Sequence, residues 1–166
     1  MMQRWKCHAL LFAPILFLIL LSMLLAGPAA VIATNEEDYE IDLSHVIEVQ
    51  LGSETNQMRF FPGQLVMRQG ERYLLVLTNP SPVTHEFASE ALSSHIRTEK
   101  LKVLDREGNL VAYVVGDIQE VELLPFGRIE WAFVTTKASS TIDLFCDIPG
   151  HRDAGMVGEI QIVNGR

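Results

Sequence analysis

The stretch Phe145-Cys146-Asp147-Ile148-Pro149-Gly150-His151-Arg152-Asp153-Ala154-Gly155-Met156 decides how this chain is read. Just before it, Ile142, Leu144 and Cys146 recur at every second position, which places them on one face of a strand and turns Cys146 inward. Just after it, Gly158 to Val163 predicts another strand. Pro149, Gly150 and Gly155 let the segment between turn sharply without β-carbon clashes. Four residues separate Cys146 from His151, and four more separate His151 from Met156. One tight loop between two strands thus presents a thiolate, an imidazole and a thioether.

These are soft and borderline donors. Two His and one Cys in a rough plane with a weak axial Met is an arrangement that suits copper. Alone, Cys146 would more often be a buried hydrophobe than a ligand; beside His151 and Met156 the balance reverses. The loop supplies one His, so the second imidazole must come from elsewhere. His85 is the best placed, at the end of the loop Asn79-Pro80-Ser81-Pro82, where two prolines remove ladder donors and stiffen the approach. His45 and His95 are the alternatives; the first opens a strand and the second lies in an ambiguous stretch, so both read as surface or structural. The expected set is His85, Cys146, His151 and Met156 around one copper ion, held alike as Cu(I) and Cu(II).

Working outward, Ile47, Val49 and Leu51 alternate with Glu48 and Gln50 in a half-buried strand over Val46 to Leu51. Met58 to Phe61, Leu65 to Met67 and Arg72 to Thr78 are further β-type runs, punctuated by Pro62, Gly63 and Gly70. Ala88 to Lys100 is the least β-like stretch and is expected to hold a helical turn. Leu101 to Asp105 and Leu110 to Val115 flank Arg106-Glu107-Gly108-Asn109, a hairpin signal. Strands are also expected at Glu120 to Leu124, Arg128 to Val134 and Thr141 to Cys146, with Ile129, Trp131 and Phe133 sharing one face. About eight short strands at near-regular spacing predict an all-β, two-sheet sandwich with Greek-key links.

Arg4 and Lys6 precede an uncharged apolar run from Ala9 to Thr34, the grammar of export. Small residues at its far end, among them Ala29, Ala30 and Ala33, favour cleavage as a signal peptide, with an outer-face membrane anchor as the alternative. The organisation expected is 1–33 as export segment or anchor, 34–43 as an acidic flexible leader and 44–166 as the folded domain. Without residues 1–33 the chain has 11 basic against 21 acidic residues, a net charge of −10. Such a domain is a poor match for nucleic acid, whose phosphates need clustered Lys and Arg. A protein with a basic docking face fits better. Cys7 lies in the export segment, leaving Cys146 as the single thiol beyond it, so no disulfide can form there.

With these residues on the page, the sequence resembles the cupredoxins, the blue-copper family of plastocyanin, azurin and the type 1 copper domains of multicopper oxidases. The resemblance spans the domain after the leader: Phe60-Phe61-Pro62, the Gly70-Glu71 turn, Thr78-Asn79 and Cys146 through Gly158. It implies imidazole ligation by His85 and His151, thiolate ligation by Cys146 and an axial thioether at Met156. The loop departs from two family patterns, since plastocyanin is shorter between Cys and His, and azurin between His and Met. Its spacing is closer to the oxidases' type 1 loop. Phe145 and Asp147, however, flank Cys146 where those oxidases place His ligands for a three-copper cluster, so no oxygen chemistry is implied. A dicopper site of the oxidase-subunit kind needs two loop cysteines, and Cys146 stands alone. Many cupredoxins carry Asn directly after the first His; Glu86 occupies that place, a departure that bears on the hydrogen bonding around the sulfur.

The functional expectation is an exported, monomeric, non-enzymatic carrier of single electrons, placed in the periplasm, with a thylakoid lumen or a membrane anchor as alternatives. No residue stands out as nucleophile or general base. The competing expectation is copper handling for tolerance or delivery, with the ion as cargo. Met58 and Met67 do not form the Met-rich run of a copper(I) store.

Overall fold

Alternation at period two builds most of the fold. The computed structural model describes residues 45–114 and 116–165. Eleven strands run in chain order: β1 (Val46–Leu51), β2 (Phe60–Phe61), β3 (Gln64–Arg68), β4 (Arg72–Thr78), β5 (His85–Ala88), β6 (Ile96–Leu104), β7 (Leu110–Val114), β8 (Glu120–Leu123), β9 (Arg128–Thr135), β10 (Ser139–Phe145) and β11 (Val157–Val163). They form a six-stranded sheet ordered β2-β1-β4-β9-β6-β7 and a five-stranded sheet ordered β3-β11-β10-β5-β8. Pairing is parallel for β1 with β4 and for β3 with β11, and antiparallel elsewhere. Both sheets are therefore mixed, and the all-β, two-sheet sandwich expected from the sequence is the architecture found.

The strands that alternate bury one face only. In β3, Leu65 and Met67 are buried while Gln64, Val66 and Arg68 are exposed. The central strand β4 instead reads Tyr73-Leu74-Leu75-Val76-Leu77 without a polar break, because both of its faces are covered. Tyr73, Leu75 and Leu77 join the main core, whereas Leu74 and Val76 meet Ala132 of β9 in a small second cluster. Between the sheets Trp131 packs edge-on against Phe87 and Phe133, with ring centroids 6.4 and 5.5 Å away, and its indole N–H donates to the Thr98 hydroxyl at 3.1 Å. Tyr73 stacks on Phe133, so aromatic contacts run from β4 through β9 to β5.

Several sequence expectations need correction. Eleven strands among the described residues replace the eight or so anticipated, and β5, which no sequence run marked, carries too few residues to show a period. Met58 lies before β2, and Cys146 lies one residue beyond β10. The helical turn in the ambiguous stretch is real, a 3-10 turn at Leu92–Ser94, but Ala88 ends β5 and Ile96 already starts β6. The expected export segment 1–33 and leader 34–43 lie outside the described residues, as does Val115.

Antiparallel registers gather the important loops at one end of the sandwich. Thr78 of β4 faces Arg128 of β9, and His85 of β5 faces Leu123 of β8. Asn79 binds this end together: its side-chain amide donates to the carbonyls of Val83 (2.8 Å), Leu123 (2.9 Å) and Leu124 (3.2 Å), and its carboxamide oxygen accepts from the Ser81 N–H at 3.0 Å. The β4–β5 loop is thereby fixed across the two sheets just ahead of His85.

Candidate metal centre

His85 opens β5, and Cys146, His151 and Met156 belong to the loop joining β10 to β11. That loop is stitched mainly to itself. The N–H of His151 donates to Ile148 O, that of Ala154 to Gly150 O, that of Gly155 to Arg152 O and that of Met156 to His151 O, each at 3.0 Å. The N–H of Cys146 closes the base of the loop on Met156 O at 3.1 Å. Gly150 and Gly155 make this winding possible, at φ +86° and +99°, where a β-carbon would be strained. The Arg152 guanidinium lies 3.7 Å from the Phe145 ring centroid and also reaches Asp147 at 3.3 Å, holding the outer surface of the loop.

The side chains of His85, Cys146 and His151 converge, with one donor atom from each lying within 4.8 Å of the others. His151 Nδ1 sits 3.3 Å from His85 Nδ1 and 3.3 Å from Cys146 Sγ. His85 and Cys146 are fully buried, while His151 is partly exposed and forms the outward side of the cluster. Met156 is fully buried in the main core beside Cys146. Three of the sequence-predicted residues, His85, Cys146 and His151, thus come together as a two-imidazole, one-thiol group, while Met156 is buried with its main chain bonded to that of Cys146. His45 packs on Tyr73, and His95 accepts or donates locally with Ser94, so neither joins the cluster.

Burial sets the protonation of the cluster. It pushes the His85 imidazole down to about 4, with the neighbouring His151 adding to the effect, so His85 is a neutral ligand-ready base near neutrality. Burial likewise pushes the Cys146 thiol up, opposed by the N–H groups of Glu86 and Ile148. The Glu86 N–H lies 3.3 Å from Cys146 Sγ and favours the thiolate once a cation is present. A buried thiol beside two imidazoles, with a main-chain donor aimed at the sulfur, fits copper in its donor chemistry. The copper ion, when bound, supplies a one-electron couple.

Sequence reasoning flagged Glu86 as a departure but did not find what it touches. Its carboxylate accepts from the Asp147 N–H at 3.1 Å. Burial and the nearby Glu120, Glu122 and Asp147 carboxylates raise its pKa, while that N–H lowers it. Gly52 was also missed: its bare α-carbon lies against the back of the His85 ring, where a β-carbon would stand 2.8 Å from Cδ2.

Comparison with known proteins agrees with this geometry. The family described as copper binding proteins, plastocyanin/azurin family, matches residues 47–163. The copper-resistant cuproprotein CopI of Rubrivivax gelatinosus is 30% identical over 113 residues, covering 65% of this chain and 62% of that protein's length. Among solved structures, a multicopper oxidase from Campylobacter jejuni, described as a metallo-oxidase, superposes with TM-score 0.53 at 15% identity, over 75% of this chain and 31% of the oxidase. The McoA multicopper oxidase of Aquifex aeolicus gives TM-score 0.51 at 19% identity, over 74% of this chain and 30% of that one. These structures share the fold, and this chain spans less than a third of each. Matched over most of its length by the family and carrying a His-Cys-His cluster at the end of a cupredoxin sandwich, the chain belongs to the plastocyanin/azurin family of copper-binding proteins.

Proposed function

We propose that this protein is an exported one-electron carrier that holds a single copper ion through His85, Cys146, His151 and Met156. The observation that carries the reading is the burial of the cluster. Two of its donors are sealed inside the sandwich and the third, His151, is the partly exposed one, an arrangement suited to passing electrons through an imidazole edge. Rigid ligation by strand ends and a self-bonded loop keeps the site alike in both oxidation states. The acidic domain suits a redox partner with a basic docking face. The apolar run before residue 34 supports export, with the periplasm as destination.

A second reading, copper handling for tolerance, is favoured by one finding, the 30% identity to a copper-resistant cuproprotein. The experiment that separates the two loads the domain with copper and records its visible spectrum, redox titration and copper exchange. A carrier gives an intense blue thiolate-to-copper(II) absorption, bleaches reversibly on reduction and keeps its metal through repeated cycles. Release of copper to a competing chelator within a few cycles favours handling. Absence of the blue band with Cys146 intact overturns the type 1 site itself, and Cys146→Ser is the control that must lack it.

A further inference from the structure

The pairing of β5 with β10 is unusually short. Phe145 faces Ala88, and in this antiparallel register Cys146 would next face Phe87 and Asp147 would face Glu86. The ladder does not continue to those residues. At this point the two strands separate, with the sulfur of Cys146 near one and the imidazole of His85 on the other. The Asp147 N–H, which a continued ladder would have bonded to a main-chain carbonyl, is met instead by the carboxylate of Glu86 at 3.1 Å. The same residue directs its own N–H to Cys146 Sγ at 3.3 Å. Glu86 thus grips the cysteine from both sides, through the sulfur and through the following peptide.

The surroundings of this carboxylate are acidic. Glu86 faces Glu122 across β5 and β8, and Glu120 faces Ala88 two pairs further along. The nearest described bond to the Glu86 carboxylate is the Asp147 amide, with no Lys or Arg paired to it among the described residues.

We propose that Glu86 is a positioning residue that replaces the missing rung between β5 and β10, holding Cys146 against His85 while placing a negative charge beside the metal that favours Cu(II) over Cu(I). The brace belongs to the metal-free fold. The charge effect rests on the copper reading above. The two parts separate because Gln keeps an acceptor oxygen for the Asp147 N–H and loses the charge, whereas Ala loses both.

The test compares wild type, Glu86→Gln, Glu86→Ala and Glu122→Gln. In the metal-free domain, amide exchange at Asp147 is expected to rise at least tenfold in Glu86→Ala and to stay near wild type in Glu86→Gln. In the copper-loaded domain, Glu86→Gln is expected to raise the reduction potential by the equivalent of a tenfold change in relative Cu(II) and Cu(I) affinity, about 59 mV for a one-electron couple. Glu86→Ala adds a roughly tenfold faster loss of Cu(II) and a shifted thiolate band. Glu122→Gln, which removes a nearby charge and no bond to the loop, should leave the band and Asp147 exchange unchanged. Equal Asp147 exchange in wild type and Glu86→Ala overturns the brace, and an unmoved potential in Glu86→Gln overturns the charge effect. A wild-type protein with no blue band sinks the copper reading instead, while the exchange data still decide the brace.

Discussion

Gly52 and the His85 ring are in such close contact that no side chain fits between them: a β-carbon at residue 52 would stand 2.8 Å from His85 Cδ2 and closer still to Nε2. Gly52 also holds φ +75°, a conformation that penalises any β-carbon by roughly 1–2 kcal/mol. The His85 imidazole is therefore positioned from behind by the absence of a side chain. Gly52→Ala is expected to lower the melting temperature of the metal-free domain and to weaken copper binding at least tenfold in a chelator competition. Unchanged affinity would show that the ring shifts without loss of ligation.

The neutral His85 makes the metal-free fold acid-sensitive. The folded protein keeps this imidazole unprotonated down to about 4, whereas the unfolded chain takes up a proton near the ordinary histidine value of 6.5. Between these values the unfolded state binds more protons, so stability falls as pH drops from 6.5 towards 4 and is independent of this group above that window. The full contribution is on the order of 3 kcal/mol. Denaturant titrations of the metal-free domain at pH 7 and 4.5 measure it, and His85→Gln should flatten that part of the profile.

Copper uptake should release a proton. The Cys146 thiol is pushed up by burial and is protonated in the metal-free protein at pH 7, yet it is the thiolate that ligates. Calorimetric titration with Cu(II) in buffers of different ionisation enthalpy should report about one proton released per ion. Cys146→Ser should abolish that release together with tight binding.

Asn79 anchors the approach to His85 through bonds to Val83, Leu123, Leu124 and Ser81, and it is almost wholly buried. Replacing it with Ala leaves buried carbonyls without their donor, a loss of roughly 1–3 kcal/mol or more. Because these bonds span both sheets at the metal end, Asn79→Ala should also speed copper loss. Denaturation and exchange measured on the same variant distinguish a general softening from one confined to the site.

Trp131 provides the control away from the metal. It is buried with Phe87 and Phe133 around it, and truncation to Ala should destabilise the domain by about 3–5 kcal/mol. Any copper that the folded fraction retains should give the wild-type absorption band, since no atom of Trp131 belongs to the cluster.

The parts of this molecule that were legible in sequence are those where one segment carries its own signal. β1 and β4 have the limits expected from their apolar pattern, and the spacing of Cys146, His151 and Met156 was enough to mark the loop. β5 was not legible, since His85-Glu86-Phe87-Ala88 is too short to show alternation. The first half of β6 was hidden by Arg97, Glu99 and Lys100, which look like a solvated loop until Glu99 is seen bonded to Arg72 on the neighbouring face. The work of Glu86 was invisible for another reason. It depends on a register between residues 61 positions apart, which no local pattern encodes.

The ligand loop from Cys146 to Met156 is knotted by its own main-chain bonds, from the Cys146–Met156 closure to the turns at Gly150 and Gly155. A segment that carries its own folding instructions behaves as a cassette: its length and chemistry can be exchanged while the sandwich beneath stays intact. Loop grafting between relatives is thus a route to retuning the metal without redesigning the scaffold, provided that the graft keeps a partner for the clasp reaching over from the first imidazole's strand.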